Sequence, residues 1–203
     1  MSNSFQVEWE KPELESVASL AENLVIHLRG CDDTLLRKVL QTVYCDFCRR
    51  SCALTTKRRI EISEPTTEIP VSPCLRDTSV DVVKEVRIDR RLLVEGEHYR
   101  LFDGFVVFPT VYDRCVVEIV TVEIPNPFSE HAPRWFLKKY GEALSSGALA
   151  KMMSMAGKSW SDPERAKVEL INYENFLTTA RLQYYCGGDG SNGAVRGDGG
   201  ELL

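Results

Sequence analysis

The strongest hydrophobic periodicity lies in two neighbouring segments near the C-terminus, 133–156 and 162–185. In both segments apolar residues recur three or four positions apart, which places them on one face of a helix. The pattern predicts a helical hairpin, and small residues in its first arm would let the second arm approach closely. The two stripes are Phe136, Tyr140, Ala143, Gly147 and Ala150, then Ala166, Leu170, Tyr173, Leu177, Ala180 and Tyr184.

The break between these segments carries signals for ending one helix and starting another. Gly157 is predicted to end the first helix, because glycine readily adopts the left-handed conformation that closes a helix. Ser161 or Asp162 can cap the second helix, and Pro163 lies in its first turn, where a missing N–H costs nothing. We interpret Trp160 as a plug over the open end of the hairpin, in preference to a ligand-stacking residue.

Helical periodicity also marks the N-terminal part of the chain. A stripe three and four residues apart predicts a long helix over 34–52, and Arg49 and Arg50 near its end suit the helix dipole. A polar arm over 1–11 and a short helix over 12–24 are predicted to precede it. The stripe consists of Leu36, Leu40, Val43 and Phe47.

Between 54 and 125 the period changes to alternation of apolar and polar residues, which is typical of half-buried strands. Asp103 and Gly104 separate two apolar runs and predict a tight hairpin turn. Five to seven short antiparallel strands would form a sandwich or a barrel-like domain. The fold class is therefore α+β, with a β-domain inserted between the helices of 1–53 and the hairpin of 126–186, and these helices are expected to pack together.

Composition narrows the function classes. The chain has 203 residues, 43% of them hydrophobic, and a net charge of −5, which argues against wrapping nucleic acid tightly. The sequence contains no run of about 18 apolar residues, so we predict no membrane-spanning helix. The N-terminus lacks the basic and apolar regions of a secretory signal, and the seven cysteines are expected to be reduced thiols in a cytosolic compartment.

The last segment, 187–203, is glycine-rich: seven of the 13 glycines lie between Gly187 and Gly200. This composition predicts a flexible tail, which we expect to fold on binding a partner subunit. The interface candidates in the tail are Arg196, Leu202 and Leu203. The tripeptide that starts at Arg196 matches an adhesion motif, and we interpret it as a chance match within a glycine-rich tail.

Three cysteines form the most tempting site for chemistry. Cys45, Cys48 and Cys52 share one face of the predicted helix, and three thiolates could ligate zinc or an iron–sulfur cluster. No fourth ligand is apparent, and cysteine is also a common small apolar core residue. Burial in the core is the favoured interpretation. A metal-binding or regulatory protein built on these cysteines is the alternative function.

The remaining polar residues give no catalytic pattern. His27, His98 and His131 lie in three different segments without metal-ligand spacing, and no nucleophile and base can be named. The basic cluster 57–59 is interpreted as a solvated strand end, although it could face a DNA-filled lumen. We therefore expect neither an enzyme nor a bound cofactor.

The order of elements and several packing residues resemble a known family, the small head-to-tail adaptor proteins of tailed bacteriophages, of the tail tubular protein A type. The resemblance covers roughly residues 24–186. The residues that carry it are Leu36, Leu40, Phe47, Cys48, Arg49, Arg50 and Ser51, then Tyr140, Ala143, Gly147, Ala148 and Leu149, then Trp160, Asp162, Pro163, Ala166, Phe176, Ala180 and Arg181.

This resemblance implies a structural role in the virion neck, after assembly in the host cytoplasm. Such proteins form a ring, usually of twelve subunits, that joins the portal ring to the tail, nozzle or tail-completion protein. Genomic DNA passes through the axial channel without sequence-specific binding, and no membrane is involved. The helical part is implied to build the ring wall against the portal and the β-part to project outward or toward the tail. The C-terminal tail is implied to dock on the portal. The glycine-rich end and the cysteine count depart from the family pattern.

Overall fold

A computed structural model of the chain describes residues 6–8 and 12–186. Across these ranges the fold is mixed α+β, with four α-helices and antiparallel sheets. A 3-10 helix, Val17–Leu20, leads directly into the first α-helix. The α-helices are α1 (Ala21–Leu24), α2 (Asp33–Ser51), α3 (Arg134–Met153) and α4 (Pro163–Tyr185).

The strands are β1 (Gln6–Glu8), β2 (Leu14–Ser16), β3 (Thr55–Ile62), β4 (Thr66–Pro70), β5 (Thr78–Ile88), β6 (Arg91–Leu92), β7 (Arg100–Phe102), β8 (Phe105–Tyr112), β9 (Cys115–Pro125) and β10 (His131–Pro133). The largest sheet has the order β1-β3-β9-β5-β6, a second has the order β4-β8-β7, and β10 pairs with β2. Every pairing between these named strands is antiparallel. None of these sheets closes into a barrel within the described ranges.

The predicted tight hairpin is confirmed between β7 and β8. Its two turn residues, Asp103 and Gly104, have φ values of +48° and +77°. Positive φ at both central positions is the geometry of a type I′ turn, whose twist matches that of the flanking strands. Glycine provides the second of these conformations without steric cost.

Buried side chains from the two larger sheets share one apolar cluster, here called the sheet core. In β3 and β8 the buried residues alternate with exposed or half-buried ones, so one face of each strand reaches this cluster. The long central strand β9 pairs with β3 on one side and β5 on the other. The sheet core includes Ile60, Val86 and Val117 from the first sheet, and Ile69, Val106 and Phe108 from the second.

A separate cluster, here called the helical core, is centred on Phe47 of α2. Its ring centroid lies 6.2 Å from that of Phe136, 5.1 Å from that of Tyr140 and 6.0 Å from that of Tyr173. The first two partners belong to α3 and the third to α4. Helices on both sides of the inserted strands therefore contribute to one core.

The connection between α3 and α4 shows which residue caps α4 and where α3 ends. Asp162, not Ser161, caps α4, because its carboxylate accepts a hydrogen bond from the N–H of Arg165 at 3.0 Å. The prediction that Gly157 ends the preceding helix was wrong, since α3 ends at Met153 and Ser154 follows it as the cap residue. Gly157 has a φ of +72° and lies within the connection.

The predicted helix over 12–24 was wrong in its first half. Leu14–Ser16 is strand β2, and only the 3-10 helix and the single turn of α1 follow it. The cause is a non-local pairing, since β2 lies antiparallel to His131–Pro133 with Leu14 opposite Pro133. Gln6–Glu8, predicted as a polar arm, pairs with β3.

Gly147 of α3 allows α2 and α4 to pack closely against this helix. A Cβ at this position would lie 2.7 Å from Cγ1 of Val43 and 2.8 Å from Cδ2 of Tyr173. Neither the branched side chain of Val43 nor the packed ring of Tyr173 can move aside without a cost in free energy. We expect Gly147→Ala to lower the free energy of unfolding by about 1–3 kcal/mol, despite the better helix propensity of alanine. Urea unfolding followed by circular dichroism measures this change.

Gly141→Ala is the matched control in the same helix. Its Cβ would lie 3.3 Å from Cδ2 of Leu20, the far end of a flexible side chain. We expect this variant to be neutral or stabilised by up to about 1 kcal/mol. Equal destabilisation by both substitutions would contradict the close approach at Gly147.

Candidate functional site

The three cysteines of the predicted cluster lie on α2 but point into different surroundings. Cys48 is fully buried in the helical core. Cys45 is also buried, and its thiol donates to the carbonyl oxygen of Asn126 at 3.2 Å. Cys52 follows the helix in a left-handed conformation, with a φ of +55°, and is partly exposed.

Burial keeps the two inner thiols of this cluster protonated in the metal-free protein. Burial raises the pKa of Cys48 well above its ordinary value, and burial also raises the pKa of Cys45, an effect that Arg49 partly opposes. In the described part of the chain, no group of three or more His, Cys, Asp or Glu side chains is arranged to hold a metal ion. Of the three, Cys48 packs in the helical core as a small apolar residue.

The histidines are not brought together. His27 lies exposed in the turn after α1, and His131 lies exposed in β10. His98, between β6 and β7, accepts a hydrogen bond from the N–H of Val94 at 3.2 Å. Each histidine therefore belongs to a different local structure.

The basic cluster divides into exposed and internal members. Lys57 and Arg59 are exposed, and Lys57 pairs with Glu118 at 2.9 Å. Arg58 points elsewhere: its guanidinium donates to the hydroxyl of Ser72 at 2.6 Å and to the carbonyl of Pro73 at 3.0 Å. A continuous basic patch is not formed by these three side chains.

Trp160 is partly buried and packs against the helical core, as expected for a plug. The tail candidates Arg196, Leu202 and Leu203 lie outside the described residues.

Sequence reasoning missed a buried carboxylate, that of Glu123 in β9, which is 0% exposed. Four donors converge on it. The hydroxyl of Thr56 and the N–H of Cys74 donate to Oε1, both at 2.6 Å. The N–H of Leu75 donates to Oε2 at 3.1 Å, and the hydroxyl of Thr78 donates to the same oxygen at 2.5 Å.

Glu123 lies where the sheets meet the helices. Its N–H donates to the carbonyl of Leu54 at 2.8 Å, directly after α2 and Cys52. Its carboxylate holds the segment 74–78, which leads into β5. One side chain thus fixes the connection between β4 and β5 against the strand that runs back to the helices. Hydrogen bonds to a buried charge are roughly twice as strong as neutral ones.

A shallow recess adjoins this network. Most of its polar groups are engaged: the terminal nitrogens of Arg58 bond to Ser72 and Pro73, and the hydroxyl of Thr121 lies 3.0 Å from that of Thr56. Nε of Arg58 is buried and makes no hydrogen bond within the described ranges. This arrangement positions the segment 74–78, and most of its polar groups hydrogen-bond to one another. The lining residues are Arg58, Pro70, Val71, Ser72, Cys74, Ile119 and Thr121.

The outer face of α4 is a second feature that sequence reasoning missed. Ala166, Tyr173, Leu177 and Ala180 of the predicted inward stripe are buried, but the prediction was wrong for Leu170, which is 50% exposed. A second line of residues with helical spacing lies on the solvent side, apolar at its two ends and polar at Asn175 and Thr178. We call this stripe the outer seam. It consists of Val168, Ile171, Asn175, Thr178, Leu182 and Tyr185, all exposed.

No protein-family model matches the chain, and no curated protein matches it.

None of the helices within the described ranges is both long enough and apolar enough to cross a membrane.

Replacement of Glu123 by glutamine tests the carboxylate network. An amide NH₂ would face a donor in place of one oxygen, so at least one buried donor loses its acceptor. We expect Glu123→Gln to lower the free energy of unfolding by about 2–4 kcal/mol. Glu118→Gln is the control on the same strand, and because its ion-pair partner Lys57 is 54% exposed we expect a loss below about 1 kcal/mol. Similar losses in both variants would refute a special role for Glu123.

Thiol labelling tests the interpretation of the cysteines. At pH 8 the exposed Cys186 should react first with iodoacetamide, and Cys48 should react only on unfolding, because it is buried and its thiolate is disfavoured. Peptide mass spectrometry over a time course gives the order in which the cysteines react.

Elemental analysis of protein purified without chelator should find no stoichiometric zinc or iron. One metal per chain that disappears in Cys48→Ala would restore the metal interpretation.

Proposed function

We propose that this protein is a head-to-tail adaptor of a tailed-bacteriophage virion. The observation that carries the proposal is the helical core around Phe47, which joins a helix before the inserted sheets to a helical hairpin after them. This order of elements is what the family resemblance implies. The residues of the resemblance that lie in this core include Leu36, Leu40, Phe47, Cys48, Tyr140, Ala143, Ala148, Leu149, Ala166 and Ala180.

The finer architecture belongs to the same proposal. We take α2, α3 and α4 as a bundle, supported by their shared core. We take the two larger sheets as a sandwich, supported by side chains from both sheets in one apolar cluster. A bundle and a sandwich with separate cores would let one part contact the portal while the other contacts the tail.

Assembly into a ring, usually of twelve subunits, follows from the proposed family. The partners are the portal protein, the tail, nozzle or tail-completion protein, and DNA passing through the channel. A net charge of −5 suits passage of DNA, since extensive phosphate contacts would hold the genome in the channel. The tail 187–203, with Arg196, Leu202 and Leu203, is proposed to dock on the portal.

The alternative, a metal-binding or regulatory protein, gains no support from the cysteine surroundings. Cys48 packs in the helical core and Cys45 bonds to a backbone carbonyl. We therefore advance only the structural role.

The mass of the native assembly tests the proposal. Native mass spectrometry would be applied to the protein alone and to its mixture with the portal ring of the same phage. We expect a discrete ring, or a complex with about one copy per portal subunit, because closed cyclic symmetry fixes the copy number. An unrelated acidic protein of similar size, mixed with the same portal, is the control. A monomer that ignores the portal at micromolar concentration would refute the adaptor proposal.

A further inference from the structure

The outer face of the second sheet, β4-β8-β7, carries an exposed apolar row. Residues directly opposite one another in an antiparallel sheet point to the same side of it. Pro70 of β4 lies opposite Phe105 of β8, and Phe105 lies opposite Phe102 of β7. Phe102 is 74% exposed and Phe105 is 37% exposed. The three residues therefore form one row that crosses all three strands on the solvent side.

A second row lies beside the first, two residues further along each strand. Glu68 of β4 lies opposite Val107 of β8, and Val107 lies opposite Arg100 of β7. Between the two rows, Ile69 and Val106 are fully buried in the sheet core. Because side chains alternate along a strand, both rows face away from that core. We call the residues of these two rows the sheet patch.

The sheet patch carries one carboxylate and one guanidinium, on its two outer strands. Glu68 and Arg100 are exposed, and neither forms an ion pair with another residue of the described ranges. Neighbouring strands lie about 4.8 Å apart, so about 10 Å separates the backbones that carry these two charges. A partner that covers the apolar row therefore satisfies both charges only if it brings a basic group over Glu68 and an acidic group over Arg100.

A second copy of the sheet patch has these groups in the required places. A two-fold axis that runs along β8, between two patches packed face to face, keeps each row at its own level and exchanges β4 with β7. Glu68 of one copy then lies over the second copy's Arg100, and the reverse contact forms at the same time. Phe105 lies over its counterpart, and Pro70 lies over the second copy's Phe102. Sheets packed face to face keep their strand directions within about 30°, which leaves the long charged side chains within reach of each other.

A two-fold axis across the strands does not give this match. It would place β4 over the second copy's β4 and β7 over its β7. Glu68 would then face only Thr66–Pro70, a strand without a basic residue. The strand register and the two charges together select the axis along β8, and contacts of this kind are self-complementary and close on themselves.

We propose that the sheet patch pairs with the same patch of a second copy of this chain, with Glu68 bound to the second copy's Arg100 at both ends of the contact. Two rows across three strands bury less than the roughly 800 Å² per partner of a stable complex. The pair is therefore reversible and separates on dilution. This pairing does not depend on the adaptor function, because it uses the sheets and leaves the helices free. In a protein that forms rings, the same contact joins two rings through their sheets.

Substitution of the most exposed aromatic residue tests the apolar row. Phe102→Asp places a charge in the contact, and we expect it to raise the dissociation constant of the pair by about tenfold or more. The mass of the native assembly should then halve, from two copies to one or from two joined rings to a single ring. Leu92→Asp is the matched control, because Leu92 is 55% exposed on β6 of the other sheet. Native mass spectrometry over a dilution series measures the paired fraction, and circular dichroism checks that each variant is folded.

Charge reversal tests the same contact without changing an apolar residue. Glu68→Arg alone and Arg100→Glu alone each place like charges over one another at both ends, and we expect about a tenfold rise in the dissociation constant. An equimolar mixture of the two variants should pair as well as the wild type, because both ends then join opposite charges again. Glu61→Arg is the control, since Glu61 is an exposed carboxylate on β3 without an ion pair in the described ranges.

The outcomes separate this pairing from the adaptor function. Wild-type protein without a paired species at submillimolar concentration, an assembly mass unchanged by Phe102→Asp, or a mixture of the charge variants that stays apart would each overturn the pairing. None of these results bears on binding to the portal. Protein that pairs as expected but ignores the portal would uphold the pairing and overturn the adaptor function.

Discussion

The contact of Phe47 with aromatic rings from α3 and α4 is the interaction on which the architecture depends. It joins segments that the inserted strands separate widely in sequence, as does the hydrogen bond of Tyr173 to Asp46, 127 positions away. Edge-on and tilted rings at these distances add specific attraction to the area they bury. Gly147 makes the contact possible by leaving room for Val43 and Tyr173. Without this core, α2 would have no apolar surface to cover its stripe.

A second constraint lies at the boundary between the sheets and the helices. Glu123 is expensive to bury, and its four donors offset that cost only while the segment 74–78 keeps its conformation. The junction is therefore specified by polar geometry, whereas the cores on either side are specified by apolar packing. Such a network tolerates little rearrangement, because a partly satisfied buried carboxylate is worse than none.

Long periodic segments were predictable from the sequence, and non-local pairings were not. Helices α2, α3 and α4 carry apolar stripes over several turns, so local spacing was enough to find them. Strand β2 exists because His131–Pro133 lies beside it, which no local pattern announces. Glu123 stands in an apolar run, and its donors come from residues spread between 56 and 78. The outer seam was detectable only in part, since Asn175 and Thr178 interrupt its apolar residues.

The antiparallel pairing of β3 with β9 has a consequence for the entropy of the chain. Thr55 lies opposite Val122, so the two ends of the inserted strands emerge side by side. Bringing distant segments together through a flexible loop costs about 0.6 kcal/mol more for each doubling of its length. Once these strands pair, the connection from α2 to α3 shortens to the few residues on either side of that pair. Pairing of the sheets thus shortens the effective loop between α2 and α3. The helices can then meet at an entropic cost close to that of segments near one another in sequence.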